Sequence, residues 1–118
     1  GKMAPGGKII VEVPHANDAL LSLYDSPSFK KFTFWSEHLI LHTRESLAVF
    51  LQEAGFASIV ISGFQRYPLA NHLYWLSRQK PGGHMEWAFL KTPGIDREYA
   101  AMLAAHNMTD TLIAIAQK

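Results

Sequence analysis

Three segments of the chain have the apolar, β-branched pattern that predicts buried strands, at residues 8–13, 56–64 and 111–116. In the first segment, β-branched residues fall on both alternating faces, which is typical of a strand covered on two sides in an α/β protein. Gly55 directly precedes the second segment, and a glycine that ends a helix commonly leads into a strand. The pattern therefore predicts three strands separated by helices.

The clearest helical pattern covers residues 44–54. Apolar side chains recur there at i, i+3, i+4 and i+7 (Leu47, Phe50, Leu51 and Ala54), which is the spacing of an amphipathic helix. Thr43 is a good N-cap for this helix and Gly55 a good end.

Three further helices are predicted with less regular patterns. Asn17 or Asp18 caps a short helix that extends through Tyr24 and stops before a turn at Ser26-Pro27. A second helix opens at Pro68, and a third is capped by Asp96 and ends near residue 107. The aromatic-rich residues 29–41 and the segment 87–90 have no clear pattern.

Composition and charge then exclude several classes of protein. The chain has 118 residues, of which 48% are hydrophobic, so a single domain with its own core is expected. The absence of cysteine excludes disulfides and thiolate metal sites. A net charge of +1 argues against a nucleic-acid partner. The apolar runs are shorter than the about 20 residues that a membrane span needs, and no signal peptide is visible, so we expect a soluble, cytoplasmic protein without a membrane partner.

Several short motifs, in order, resemble the C-terminal half of a class I S-adenosylmethionine-dependent methyltransferase. Residues 4–14 resemble the Pro-Gly-Gly turn of the family and the fifth strand that follows it. The next match is a Thr-capped helix region, carried by His38-Leu39, Thr43, Ser46-Leu47, Leu51 and Ala54-Gly55-Phe56. The last is Thr109-Asp110-Thr111-Leu112, which resembles the start of the final strand.

The resemblance implies an α/β fold: the C-terminal part of a Rossmann-like methyltransferase fold, with about three strands, an antiparallel last strand and a helical cap insertion. It covers residues 4–65 and 109–118, and we expect one partial domain in which residues 1–65 and 108–118 form the core and residues 66–107 the cap. Residues 65–76 are similar to some methyltransferases of sugar and surface-polysaccharide pathways.

The resemblance also implies that the cofactor site lies elsewhere. The family binds S-adenosylmethionine through a Gly-rich loop after the first strand and an acidic residue that ends the second strand, and both would precede the residues present here. Gly6-Gly7 and Gly82-Gly83 are no substitute, because neither pair follows a strand and opens a helix. We therefore expect a C-terminal fragment, inactive alone, whose full-length protein uses S-adenosylmethionine while this chain contributes no cofactor-binding residue.

Candidate acceptor-side residues follow the first strand, because ligands in open α/β sheets bind beyond the carboxyl ends of the strands. This rule selects His15, Asn17 and Asp18. An unperturbed histidine has a pKa of about 6.5, which suits the removal of a proton from a methyl acceptor. The alternative is that His15 is an exposed turn residue and that Asn17 or Asp18 is only a helix cap.

Glu37 and His38 form a second candidate pair. In sugar carbon-methyltransferases, a Glu-His pair just before the capped helix supplies acid/base groups, and the resemblance implies the same role here. Their apolar neighbours favour the alternative of structural, partly buried side chains. A metal site that includes His42 is a further alternative, but no fourth ligand is evident, and no metal is predicted.

The cap segment offers polar and aromatic side chains for binding a small-molecule acceptor. The predicted substrate-binding residues are Arg66, Tyr67, Asn71, His72 and Trp75, with Tyr74, His84 and Trp87 nearby in sequence. Their partly helical spacing equally suits subunit packing. Two functions therefore remain open: a small-molecule methyltransferase half, or a non-catalytic interaction module derived from that fold. In either case a sheet of three strands leaves exposed edges, and we expect a homodimer formed by edge pairing or through the aromatic cap.

Overall fold

A three-stranded sheet organises the chain, with the helices inserted between successive strands. The computed structural model describes residues 6–34 and 40–118. Within them the elements are β1 (Lys8–Pro14), α1 (Ala19–Ser22), α2 (Pro27–Phe34), α3 (Arg44–Glu53), β2 (Ala57–Phe64), α4 (Leu69–Arg78), α5 (Gly83–Glu86), a 3₁₀ turn (Ala88–Leu90), α6 (Pro93–Ala105) and β3 (Thr111–Gln117). The mixed α/β class and the three strands are confirmed.

β3 is the central strand and runs antiparallel to both of its neighbours, in the order β1-β3-β2. Ile115 marks the register, because it lies opposite Ile10 on β1 and opposite Val60 on β2. The antiparallel last strand is therefore confirmed. Since β1 and β2 both oppose β3, they run parallel to each other, and their carboxyl ends lie at the same edge of the sheet as the start of β3.

One face of the sheet carries the core. Leu47 and Leu51 of α3 pack there on Leu112, Ala114 and Ala116 of β3, and all five side chains are at most 1% exposed. Successive side chains along each strand point alternately to this face and to the opposite face of the sheet.

The second face of the sheet is open among the described residues. Ile10, Val60 and Ile115 lie side by side on it and are 72%, 64% and 44% exposed. The prediction that the first strand is covered on both sides is therefore wrong for this part of the chain: its β-branched residues reflect strand propensity on the open face and burial on the other.

The predicted Thr43-capped helix is confirmed as α3. The Thr43 hydroxyl accepts a hydrogen bond from the Ser46 amide at 3.0 Å, and the Ser46 hydroxyl accepts one from the Thr43 amide at 2.9 Å. This reciprocal pair satisfies two amides that the first turn of a helix leaves unpaired. Gly55 then ends the helix region with a φ of +91°, a conformation that favours glycine.

Two other helix boundaries differ from the predicted ones. Ser26-Pro27 does not form a turn after the first short helix: α2 begins at Pro27, whose fixed φ suits a first helical position. Asp96 does not cap α6, because Thr92 does so three residues before Ile95, whose amide its hydroxyl contacts at 3.4 Å. Thr-Pro is the stronger start signal, and the sequence analysis missed it.

Residues 66–107 fold as helices α4 to α6 between β2 and β3. A close contact joins α5 to α4 at Gly83, where a Cβ atom would lie 2.3 Å from the Tyr74 Cβ and 2.7 Å from the Ala70 carbonyl oxygen. Backbone and Cβ atoms cannot move aside as a flexible side-chain end can, so this contact requires glycine.

No helix among residues 6–34 and 40–118 has the length and apolar character needed to cross a bilayer.

Gly83→Ala is expected to destabilise the chain by about 1–3 kcal/mol, because it overpacks the α4–α5 contact. Gly94→Ala is the matched control, since Gly94 lies in the first turn of α6 and nothing lies within 4 Å of the added methyl group. Urea unfolding followed by circular dichroism measures both. Equal stability of the two variants would contradict the packing described here.

Candidate functional site at the carboxyl edge of the sheet

A cavity of about 590 Å³ lies where the carboxyl ends of β1 and β2 meet the start of β3. Its sheet-side lining comes from Pro14 and His15 at the end of β1, from Arg66 and Tyr67 after β2, and from Asp110 before β3. The opposite lining comes from helices α1, α2 and α4. The position agrees with the general rule for ligand sites in open α/β sheets.

His15 is the only side chain of the described residues with a fully buried polar atom that lacks a hydrogen-bond partner. The side chain is 1% exposed, and its Nδ1 lies 2.8 Å from the carbonyl oxygen of Thr109. Because a carbonyl only accepts hydrogen bonds, Nδ1 carries the proton and the orphaned Nε2 carries a lone pair. His15 is therefore not the exposed turn residue of the alternative interpretation.

Burial also keeps this imidazole neutral. It lowers the pKa of His15 below its usual value of 6.5, and the positive charge of Arg44 adds to that effect, although the hydrogen bond to Thr109 opposes it. A neutral ring with a fixed tautomer and a free Nε2 is the form that accepts a proton from a bound molecule.

Asp18 combines a structural and an electrostatic feature. One carboxylate oxygen accepts a hydrogen bond from the Leu20 amide at 2.8 Å, so Asp18 is the predicted cap of α1. The side chain is only 6% exposed and also lines the cavity. Burial raises the pKa of Asp18 to about 7, and the carboxylate of Asp110 adds to the increase. Near neutral pH this carboxyl group is therefore partly protonated.

His72 is held by hydrogen bonds on both ring nitrogens. Its Nδ1 lies 2.6 Å from the Tyr99 hydroxyl, and its Nε2 lies 3.3 Å from the side-chain nitrogen of Gln65. The Gln65 amide can only donate from that nitrogen, so Nε2 accepts and Nδ1 donates. Burial lowers the pKa of His72 to about 4. With both nitrogens occupied, His72 orients its neighbours and has no free lone pair for the cavity.

Asp110 fixes the segment that follows β2. Its carboxylate accepts hydrogen bonds from the Arg66 amide at 2.9 Å and the Tyr67 amide at 3.0 Å. The Asp110 amide in turn donates to the side-chain oxygen of Gln65 at 2.9 Å. Arg66 also forms an ion pair with Glu12 of β1, beside the cavity. These hydrogen bonds and the ion pair connect the ends of all three strands at the site.

Aromatic rings form the wall opposite the sheet. Trp75 of α4 packs against Phe29 and Phe32 of α2, with ring centroids 5.1 and 5.2 Å apart. Tyr67 and His84 are in ring contact at another part of the lining, at 5.3 Å. The cavity therefore offers apolar faces to a ring-shaped molecule and a few polar groups to fix its orientation.

The structure brings most of the predicted site residues together in this cavity. They are His15, Asp18, Arg66, Tyr67, Asn71, His72 and Trp75. Asn17 does not line it: its side-chain amide donates to the carbonyl oxygen of Asn107 at 2.7 Å and so has a structural contact. Glu37 and His38 lie outside the described residues, and no group of three or more metal-ligating side chains occurs within residues 6–34 and 40–118.

Four residues that support the site escaped the sequence analysis: Gln65, Tyr99, Thr109 and Asp110. Thr109 and Asp110 belong to the motif before the last strand, so a signal for their position existed. Their roles arise from contacts across 94 residues to His15 and across 44 residues to Arg66, which no local pattern reveals.

Comparisons with protein-family models, with characterised proteins and with solved structures found no match to this chain.

Asp18→Asn tests the environment of the buried carboxyl group. The pKa of Asp18 in the folded chain, about 7, exceeds its unfolded value of 3.8, so Asp18 contributes stability at low pH that is lost as the pH rises to about 7. Asparagine keeps the cap and removes the titration. Relative to the wild type, the variant should therefore gain about 3 kcal/mol between pH 5 and pH 8.

The histidines do not obscure this comparison, because both chains contain them. Their lowered pKa values remove stability as the pH falls below 6.5, equally in the two proteins. Unfolding free energies from urea titrations at several pH values give the difference. A difference that stays constant from pH 5 to pH 8 would show that Asp18 has an ordinary pKa.

Proposed function

We propose that this chain is the acceptor-binding part of a class I S-adenosylmethionine-dependent methyltransferase that acts on a small molecule. In this proposal the cavity at the carboxyl edge holds the acceptor, and His15 removes its proton. The observation that carries the proposal is the buried, unpartnered Nε2 of His15, a residue that lines a cavity together with aromatic and polar groups. The near-neutral, cysteine-free composition suits a cytoplasmic enzyme.

The sheet order supports the family proposal. The resemblance implies an antiparallel last strand, and β3 runs antiparallel to two strands that are parallel to each other. The general rule for open α/β sheets also predicts acceptor-side groups directly after the first strand present here, where His15 and Asp18 lie. The motif residues and the strand directions thus favour the same family.

The described residues do not fit the cofactor itself. In residues 6–34 and 40–118, no glycine-rich loop follows a strand and opens a helix: Gly6 precedes β1, and Gly82 lies between α4 and α5. The proposal therefore gives this chain no cofactor site. S-adenosylmethionine would supply the methyl group from another part of the full-length protein, and the residues here bind the acceptor and take up its proton at Nε2 of His15.

A sugar or a polysaccharide precursor is the proposed acceptor class. Its basis is the similarity of residues 65–76 to methyltransferases of those pathways, together with the aromatic wall of the cavity. Trp75 and the phenylalanines of α2 give apolar faces on which the C–H face of a sugar ring can stack. The Asn71 side chain, which is 5% exposed, adds a polar group to the lining.

Binding of UDP-glucose to the isotopically labelled chain, followed by amide chemical shifts, tests the acceptor site. Shifts should concentrate in the residues around the cavity. Replacing His15 by glutamine should weaken binding about fivefold, the effect of losing one hydrogen bond of about 1 kcal/mol. His106→Gln is the matched control, because His106 follows α6 and does not line the cavity. Shifts elsewhere, or equal effects of the two variants, would contradict the proposal.

A calorimetric titration with S-adenosylmethionine tests whether this chain contains a cofactor site. The chain is expected to show no heat of tight binding, because its described residues lack the loop that binds the cofactor. Binding with a Kd below about 10 μM would contradict the placement of the cofactor site elsewhere in the full-length protein.

The open sheet face favours a second candidate function, a non-catalytic module that self-associates. Ile10, Val60 and Ile115 form an exposed apolar row across all three strands. Apolar rows of this kind are typical of surfaces that another polypeptide covers. Under this candidate the partner is a second copy of the chain, and the cavity is part of the fold's interior without catalytic use.

A further inference from the structure

The outer edge of β1 is an unpaired strand edge of the three-stranded sheet. Inward hydrogen bonds to β3 come from odd-numbered positions, as in the bonds from the His15 amide to Asp110 and from the Lys118 amide to the Gly7 carbonyl. Successive residues of a strand alternate in direction, so the backbone groups of Lys8, Ile10 and Glu12 point away from β3. Their outward groups have no partner among the described residues.

The far end of this edge is already covered. The His42 amide donates to the Pro14 carbonyl oxygen at 3.1 Å, and the Ala16 amide donates to the His42 carbonyl oxygen at 2.8 Å. Pro14 also lacks an amide proton, so it ends the edge that can pair. The edge available for pairing therefore extends from Lys8 to Glu12.

This short edge is complementary to itself. Lys8, Ile10 and Glu12 lie on the open face, with a basic residue at one end, an apolar residue in the middle and an acidic residue at the other end. An antiparallel copy centred on Ile10 brings Lys8 opposite Glu12 of the partner subunit, twice by symmetry. All three positions are then hydrogen-bonded pairs, because all three direct their backbone groups outward.

We infer that two copies of the chain pair antiparallel through β1, with the two-fold axis at Ile10, to form a continuous six-stranded sheet. α3 packs chiefly on β2 and β3, so it leaves the edge of β1 accessible. Glu12 already pairs with Arg66 of its own chain, and its carboxylate has capacity for a second donor. The inference specifies the second candidate function and competes with the methyltransferase proposal, in which this edge would pair with the fourth strand of the full-length protein.

Charge reversal tests the register. In sedimentation equilibrium, the wild-type chain should dimerise, and K8E or E12K should each raise the dimer Kd at least about tenfold, because each places like charges opposite one another twice. The double variant K8E/E12K should recover most of the lost affinity, since it exchanges the two charges across the interface, while the ion pair between Glu12 and Arg66 within each chain stays lost. S62E is the control: Ser62 is exposed on the same face of the sheet but lies on β2, at the other edge.

A second measurement uses the unmodified chain and so does not depend on the folding of any variant. A carbodiimide cross-link in a mixture of ¹⁴N- and ¹⁵N-labelled copies should join Lys8 of one copy to Glu12 of the other. A monomer at high concentration would overturn the inference. So would a dimer insensitive to K8E and E12K, a dimer disrupted by S62E, or the absence of the mixed-label cross-link. Acceptor binding at the cavity is measured separately and is unaffected by these outcomes.

Discussion

The antiparallel placement of β3 between β1 and β2 is the constraint on which the rest of the structure depends. It makes the outer strands parallel, and it therefore brings their carboxyl ends and the first residues of β3 to one edge of the sheet. The hydrogen bond from His15 to Thr109 and the bonds from Asp110 to the Arg66–Tyr67 backbone exist only because of that arrangement. With a parallel third strand, the start of β3 would lie at the opposite edge and His15 would lose its partner.

Burial determines the chemistry of the cavity. It lowers the pKa of both histidines and raises the pKa of Asp18, so the three groups are neutral or partly neutral near pH 7. Hydrogen bonds then divide their roles: His72 has both nitrogens occupied, whereas His15 has only one. A single free lone pair on a residue that lines an aromatic cavity is a candidate site for proton uptake, and this asymmetry between two buried histidines is the strongest indication of function in the described residues.

The sequence predicted features that depend on neighbouring residues. α3 has a Thr-Ser capping pair and a glycine end, and the strands have runs of β-branched residues, so both follow from local chemistry. The start of α6 was predicted at Asp96, which is a favourable N-cap residue type, but Thr92 forms the cap, with Pro93 behind it. β1 was predicted to be buried on both faces, because a run of β-branched residues has the same sequence pattern whether one face or both faces are buried.

The candidate site was predicted only in part, because the sequence again indicates local features better than long-range contacts. The rule about carboxyl ends selected His15 and Asp18 correctly as cavity residues, and the polar and aromatic residues after β2 followed from their composition. Asn17 was selected by proximity in sequence, yet it faces Asn107. The tautomer of His15 and the hydrogen bonds of Asp110 to the segment after β2 require contacts between residues 44 to 94 positions apart. These contacts depend on the strand order, which local sequence patterns do not reveal.

The central claim is that His15 is a neutral base with a free Nε2. Long-range ¹H–¹⁵N correlation spectra of the imidazole side chains test it most directly, because the two nitrogens have different shifts when protonated and when unprotonated. We expect that at pH 7 His15 is neutral, with the proton on Nδ1 and none on Nε2, and that its pKa lies below the usual value of 6.5. A proton on Nε2, or a charged ring at pH 7, would contradict it.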